Sequence, residues 1–298
     1  MELLRSLMFT PGQRENMIEK ALSLGKLGPD AVMFDLEDSV PLDQKDAARR
    51  NVAAVVLRDK GPADPVRIIR VNSKKTGRQG EDISAVVHAS VFAVLLPKIE
   101  EPAEVCDAAH LVEKLERHRG IAMGTVRLIA AIESARGVRF AHEIAESTHR
   151  LCGLMFGAED YSRDLGLPVR RTGPGWDLVY ARSTLVNAAA MAGLFTMDQV
   201  HMNFQDLEAE KRDAIASRQL GFSGKAAIHP SQVQVINEVF SPTLDEVNHA
   251  RFVIDAFDRA RAAGIGCVML GGQVVEQPIL ERAERVVQMY DAIASRES

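Results

Sequence analysis

The sequence predicts a (β/α)8 barrel of the TIM type followed by a C-terminal helical lid extension. Over residues 1–230, short apolar runs of strand length alternate with longer segments of helical periodicity, and the runs number eight. Strict alternation calls for parallel strands joined by helical crossovers, and eight such units match a closed barrel. An open doubly wound sheet also alternates and is the competing architecture; the count of eight favours the barrel.

The first strand is expected at 6–9 (SLMF) and runs into a helix at 14–24. The second, 31–36 (AVMFDL), precedes a helix at 43–58, and the third, 66–71 (VRIIRV), one at 82–89. Strands at 91–96 (VFAVLL), 126–132 (VRLIAAI) and 151–156 (LCGLMF) precede helices at 103–117, 135–147 and 178–192. A seventh strand at 199–204 (QVHMNF), a helix at 209–220 and an eighth strand at 224–228 (GKAAI) close the series. Past residue 230 the alternation stops. Helical patterns at 231–239, 244–263 and 278–295 make 231–298 an extension, with a short hairpin expected around Gly271 and Gly272. No low-complexity linker or fixed-period repeat divides the chain.

Composition limits the classes of function. A chain of 298 residues, 46% apolar and 26% charged, can bury a sizeable core. A formal net charge of −5 and a pI near 5.9 argue against a nucleic-acid partner, which would call for a basic excess. The longest apolar stretch, 91–96, is far short of the roughly 20 residues that span a bilayer. The N-terminus, with Glu2 and Arg5, does not resemble a secretory signal, and Cys106, Cys152 and Cys267 show no C-x-x-C pairing. A cytoplasmic protein with no membrane partner is expected.

Charges begin where the apolar runs end. Asp35, Glu37 and Asp38 follow the second run, Arg70 and Asn72 close the third, Lys98 and Glu100 the fourth, Glu133 the fifth, and Glu159 and Asp160 the sixth. In a barrel these C-terminal strand ends converge on one face, where active sites are built. A charge past a strand is also commonly a helix cap, and Asp38, Glu101 and Ser134 could serve that way. Capping needs no arginine or lysine, so both signs on one rim point to a pocket.

Carboxylates without histidine or cysteine partners favour Mg²⁺, which takes few protein ligands and keeps places for water and substrate oxygens. Glu133 and Asp160 are the best pair of ligands. Zinc is disfavoured, because the eight histidines show no H-E-x-x-H spacing. A divalent ion beside an arginine suits a substrate with a carboxylate next to a carbonyl or hydroxyl, which means carbon–carbon chemistry through an enolate or else phosphoryl chemistry. The latter lacks its usual phosphate loop, and GPGWDL at 173–178 neither follows a strand nor carries the third glycine.

Longer motifs narrow this further. RSLMFTPG, MFDLEDSVPLDQKDAAR, IIRVN, LLPKIE, AAIESARGV, FGAEDYSRDLG, YARSTLVNAA and LGFSGKAAIHPSQVQVINEVFSPT together resemble the HpcH/HpaI aldolase and citrate lyase β-subunit superfamily, specifically its CitE-like acyl-CoA lyase branch. The likeness runs from about Leu4 to Arg285. It implies a TIM barrel with a C-terminal lid that packs on a neighbouring subunit, in a homotrimer or dimer of trimers. It also implies that Glu133 and Asp160 ligate Mg²⁺, that Arg70 binds the oxygens of a 2-keto acid and a thioester enolate, and that Glu37 and Asp38 order water around the metal. Phe9, Arg14 and Lys20 would meet the coenzyme A moiety. Lys98 would be a partner of the carboxylates rather than a Schiff-base nucleophile.

Two positions depart from the family pattern. Where relatives carry an aspartate that acts as acid/base in the neighbouring subunit's site, GGQVVEQP puts Glu276. The extra methylene displaces the carboxylate by roughly 1 Å, which can cost about 10²-fold if uncompensated. Asn203 likewise stands where an aspartate is common, while Asp198 and Asp206 match. The resemblance implies a Mg²⁺-dependent lyase that cleaves malyl-CoA, citramalyl-CoA or citryl-CoA into an acyl-CoA and a 2-keto acid, reversible as a Claisen condensation. A citrate lyase β subunit acting on an acyl-carrier-protein thioester, and a non-catalytic CoA-binding subunit, are the alternatives.

Overall fold

A computed structural model describes residues 3–25, 28–58, 61, 64–169, 175–262, 268–270 and 273–297. Strands β1 (Ser6–Pro11), β2 (Ala31–Asp35), β3 (Val66–Arg70), β4 (Ala93–Leu96), β5 (Arg127–Ile132), β6 (Leu151–Phe156), β7 (Phe195–Asp198) and β8 (Gly224–Ala227) pair in sequence order. All are parallel, and β8 returns to β1 to close the barrel. Helices α1 (Glu15–Ser23), α2 (Lys45–Val56), α3 (Gln79–Val86), α4 (Pro102–Arg119), α5 (Ala135–Arg139), α6 (Ala141–Ala145), α7 (Ala158–Asp164), α8 (Trp176–Ala192) and α9 (Leu207–Leu220) lie in the crossovers, and α10 (Pro230–Phe240) follows β8.

Residues Leu4–Asn237 form one compact unit, and the residues from Glu238 onward form a second. In the second unit α11 (Leu244–Ala262) and α12 (Gln277–Glu297) are joined through the antiparallel strands β9 (Val268–Leu270) and β10 (Gln273–Val275). Its core is built from Ala250, Val253, Phe257, Val275, Leu280 and Ala283. Gly271 and Gly272, the expected turn of this hairpin, lie outside the described residues, as do Cys267 and residues 170–174. Cys106 and Cys152 are free thiols. No helix among the described residues is long and apolar enough to cross a membrane.

The barrel forms because its strands are apolar on both faces, as parallel strands covered inside and outside must be. Every residue of β2 is buried. Alternate side chains point inward, and Leu7, Met33, Ile68, Leu95, Ala131, Met155, Met197 and Ala226 belong to one interior cluster. Two residues further along the same strands, on the same inward parity, stand Phe9, Asp35, Arg70, Glu133, Gly157, Gln199 and Ile228. The polar groups at the mouth are therefore the next layer of the barrel interior, set on rigid strand ends.

Several expected elements shift. β7 lies at Phe195–Asp198, ahead of the predicted 199–204. Val200, Met202 and Phe204 alternate with polar residues and imitate a strand, yet they belong to the loop beyond it. The helix predicted at 135–147 divides at Phe140, whose backbone leaves the helical region between α5 and α6. Helix α7 was not expected, because seven residues are too few for a legible period and its first turn holds Glu159 and Asp160, which read as strand-end charges. Two of the three expected caps do cap: Glu101 forms a reciprocal capping box with Glu104, and Ser134 accepts from the Gly137 amide at 3.0 Å. Asp38 instead faces Lys98.

On the outward parity, Asp198 of β7 and Lys225 of β8 are register partners, fully buried beneath α8 and α9. Arg182 and Ser217 donate to Asp198, and Lys225 Nζ lies 2.7 Å from Asp213 Oδ2. Glu210 is buried beside them and accepts from Gln232 Nε2 at 2.7 Å. Burial pushes its carboxyl up to about 7, despite the opposing pull of Lys225 and the Gln232 hydrogen bond. A carboxyl raised on folding stabilises the native state while protonated, and that contribution is lost as pH rises from about 4.5 through about 7. We therefore expect Glu210→Gln to gain stability over the wild type between pH 5 and pH 8, by up to about 3 kcal/mol. Urea unfolding at the two pH values checks this, and a gain independent of pH would refute it.

Candidate active site

Two neighbouring strands end in opposite charges. Asp35 and Arg70 are register partners at the ends of β2 and β3, and their side chains form a fork: Nε donates to Oδ1 and Nη2 to Oδ2, each at 2.7 Å. Asp35 also accepts from the Glu37 amide at 2.8 Å and from the Ser39 amide and hydroxyl at 3.1 and 2.5 Å. Burial alone would raise the Asp35 carboxyl; Arg70 and these donors outweigh it and leave it below the ordinary carboxylate value. The same pairing overcomes the desolvation of Arg70 and keeps it firmly charged. The ring of Phe9 lies under the guanidinium, 4.9 Å from its carbon.

Beside the fork stands a second cation. Lys98 Nζ contacts Glu37 Oε1 at 2.6 Å and both Asp38 oxygens at 3.0 and 3.1 Å, and lies 3.9 Å from Asp160 Oδ2. Its backbone, at φ +56°, is the one non-glycine left-handed conformation among the described residues, a strain that such contacts must hold in place. Burial disfavours its charge, but Glu37 and Asp38 prevail and raise its pKa. A lysine so locked in its protonated form is a poor amine nucleophile. Glu37 Oε2 also faces Arg70 Nη1 at 3.2 Å, so Glu37 bridges the two cations.

Glu133 differs from these carboxylates. It is 6% exposed, and its Oε2 is buried with no hydrogen-bond partner. Burial pushes its carboxyl up to about 8, only partly offset by Arg70, and the nearby charges of Glu37 and Asp160 push in the same direction. Asp160, in the first turn of α7, faces Arg163 at 2.5 Å. Gly157 lies against Glu133: a Cβ there would come within 2.3 Å of Glu133 Cγ. The missing side chain is what admits this carboxylate.

Phe9, Asp38, Arg70, Glu133, Gly157 and Asp160 line a cavity of about 360 Å³. Leu95, Met155, Val200, Met202 and Ile228 supply much of the remainder. No group of three or more His, Cys, Asp or Glu side chains among the described residues is arranged to hold a metal ion, so a cage made only of protein is not on offer. A buried carboxylate with an orphaned oxygen beside a second, half-buried one fits Mg²⁺, which keeps much of its water and takes one or two carboxylates. Glu133 and Asp160 could hold that ion.

The other expected residues are placed as follows. Arg14 precedes α1 and Lys20 lies in its last turn; both are exposed. Asn203 is exposed and accepts from the Gln205 amide at 3.3 Å, while Asp206 caps α9. Glu276 is exposed in the second unit between β10 and α12, its carbonyl accepting from the amides of Ile279 and Leu280. Sequence reasoning placed Asp35 in the acidic cluster without a role and missed Gly157 and the wall formed by Gln199, Val200 and Met202. Counting inward parity from the interior cluster would have found Asp35, Gly157 and Gln199, but not Val200 or Met202, which stand on the other parity.

We expect Gly157→Ala to fold but to displace Glu133 and weaken Mg²⁺ binding by about 10–100-fold, as loss of a ligand's support typically does. Titration calorimetry with Mg²⁺ alone reads this, and an unchanged affinity would remove Glu133 from the metal site.

Known proteins share this architecture. The family HpcH/HpaI aldolase/citrate lyase matches residues 5–230. The citrate lyase subunit beta of Leuconostoc mesenteroides subsp. cremoris is 38% identical over 291 residues, covering 97% of this chain and 94% of that protein. A (3S)-malyl-CoA thioesterase of Cereibacter sphaeroides is 34% identical over 292 residues, covering 98% and 96%. Among solved structures, CitE from Mycobacterium tuberculosis in complex with magnesium, acetoacetate and coenzyme A is similar at a TM-score of 0.76 and 29% identity, covering 96% of this chain and 98% of that one. With the closed barrel, the polar mouth and matches over nearly the whole length, the chain belongs to the HpcH/HpaI aldolase/citrate lyase family.

Proposed function

We propose that this protein is a Mg²⁺-dependent carbon–carbon lyase that acts on a carboxylated 3-hydroxyacyl thioester and releases a 2-keto acid. The observation that carries the reading is Glu133, a buried carboxylate with an unpartnered oxygen, next to Asp160 and in one cavity with a fixed, charged Arg70. The magnesium, acetoacetate and coenzyme A bound by the M. tuberculosis CitE support the same ligand classes here. Malyl-CoA, citramalyl-CoA and citryl-CoA are the substrates we propose, in a cytoplasmic enzyme.

Glu133 and Asp160 would hold the metal. When bound it supplies a Lewis acid for the oxygens of the keto-acid portion. The rest falls to the side chains. A guanidinium carries five N–H donors; Asp35 takes two and Glu37 faces another nitrogen, so donors remain for a substrate carboxylate. In cleavage the 3-hydroxyl gives up its proton to the water ordered by Glu37 and Asp38, and its C–O bond becomes the keto-acid carbonyl. The C2–C3 bond breaks, and its electron pair passes into the thioester enolate. Arg70 stabilises negative charge on the keto-acid oxygens, while Glu37 and Asp38 order water beside them. Proton delivery to C2 we assign to Glu276 of an adjacent subunit in a homotrimer or dimer of trimers. Phe9, Arg14 and Lys20 would meet the coenzyme A portion.

Purified protein is expected to release a trapped 2-keto acid from at least one of the three CoA thioesters with Mg²⁺ and none with EDTA. Arg70→Lys keeps the charge but loses the fork, and should lower kcat/KM by at least about 10²-fold. Release only from an acyl-carrier-protein thioester would replace this reading with that of a citrate lyase β subunit.

Glu276→Ala should abolish turnover yet leave Mg²⁺ and keto-acid binding intact. Mixing it with Arg70→Lys subunits should restore activity if the residue acts across subunits. Full activity in Glu276→Ala alone would assign the proton to another group.

A further inference from the structure

One wall of the cavity is held from behind by residues with no role in the chemistry above. Gln199, Val200 and Met202 line the cavity from the loop that leaves β7. In an eight-stranded barrel closed in sequence order, β7 lies opposite β3, so this wall faces the mouth position that Arg70 occupies. Two buried side chains grip the loop's carbonyls. Lys225 Nζ donates to Gln199 O at 2.7 Å and is anchored by Asp213 Oδ2 at the same distance. Gln232 Nε2 donates to His201 O at 2.8 Å, while its Oε1 accepts from the amides of Ile228 and His229 at 2.9 and 3.1 Å. Both side chains are fully buried. A third hold is the His229 ring stacked on Phe204, with centroids 4.7 Å apart.

An extended loop with few contacts of its own would be mobile. Here a charge-assisted hydrogen bond from a buried ammonium and a buried amide fixes it at two carbonyls two residues apart, with Val200 between them. We propose that Lys225 and Gln232 are positioning residues that set the 199–202 wall and thereby the size of the keto-acid substituent accepted opposite Arg70. The proposal rests on the lyase reading for what the cavity holds, but the wall and its anchors stand independently of it.

The test compares Lys225→Met and Gln232→Met with the wild type, with Val200→Ala as a direct change in the wall. Two readouts are used: the ratio of kcat/KM for malyl-CoA over citramalyl-CoA, which differ by one methyl group on the released keto acid, and the thermal stabilisation by glyoxylate against pyruvate, each with saturating Mg²⁺. We expect at least one anchor variant to shift the preference by about tenfold, in the direction of Val200→Ala, with Mg²⁺ affinity unchanged. A purely structural role would lower the melting temperature and leave the preference unmoved, which would overturn the proposal. If Lys225→Met fails to fold, having left Asp198 and Asp213 short of a partner, Gln232→Met carries the comparison. No turnover in any protein, with the keto-acid preference still shifted, would sink the lyase reading and keep this one.

Discussion

The fork between Asp35 and Arg70 is the contact on which the mouth of the barrel is organised. A guanidinium buried at the top of an apolar interior is tolerable only when paired, since an unpaired buried charge costs several kcal/mol. Here the partner sits one strand away at the same register, so pairing needs no flexible side chain to search for it. Such a pair adds little net stability over an apolar substitute. Its consequence is position: both planar groups are locked in two dimensions, and the Phe9 ring fixes the third.

From that fixed point the remaining charges sort themselves. Glu37 spans Arg70 and Lys98, Asp38 and Asp160 share Lys98, and Arg163 faces the other side of Asp160. Glu133 is the carboxylate of the group with no ion-pair contact of its own, held against Gly157. A site that satisfies its acids one by one and leaves a single buried one unsatisfied has a specific deficit, which is positive charge at Glu133. That deficit, more than the number of acids, makes the cavity suited to a divalent cation.

Much of this was legible in the sequence. Seven of the eight strands could be read because parallel strands buried on both faces are continuous apolar runs, and the polar residues ending them could be read because a barrel gathers those ends on one face. Arg70, Lys98, Glu133 and Asp160 do meet around one cavity or in direct contact with its lining. What escaped depends on distance in three dimensions. Gly157 matters only because Glu133 lies against it, and no spacing rule joins residues 133 and 157. Helix α7 is too short for periodicity, and the fork of Asp35 was hidden among three adjacent acids whose side chains diverge.

The misplaced seventh strand has the most informative cause. QVHMNF alternates polar and apolar residues, the pattern of a chain set between two different surroundings. In a strand those surroundings are the two faces of a sheet. Here Val200 and Met202 line a cavity together with Gln199, and the backbone carbonyls of Gln199 and His201 accept from Lys225 and Gln232 instead of from a neighbouring strand. The apolar half of the pattern is accounted for by the cavity, and the segment is held by buried side chains rather than by strand pairing. Apolar residues committed to a cavity rather than to the core are left uncovered until something occupies the space, as the 59% exposure of Met202 shows. Local pattern and global fold disagree at this one strand of the barrel, and the disagreement falls on the cavity wall opposite Arg70.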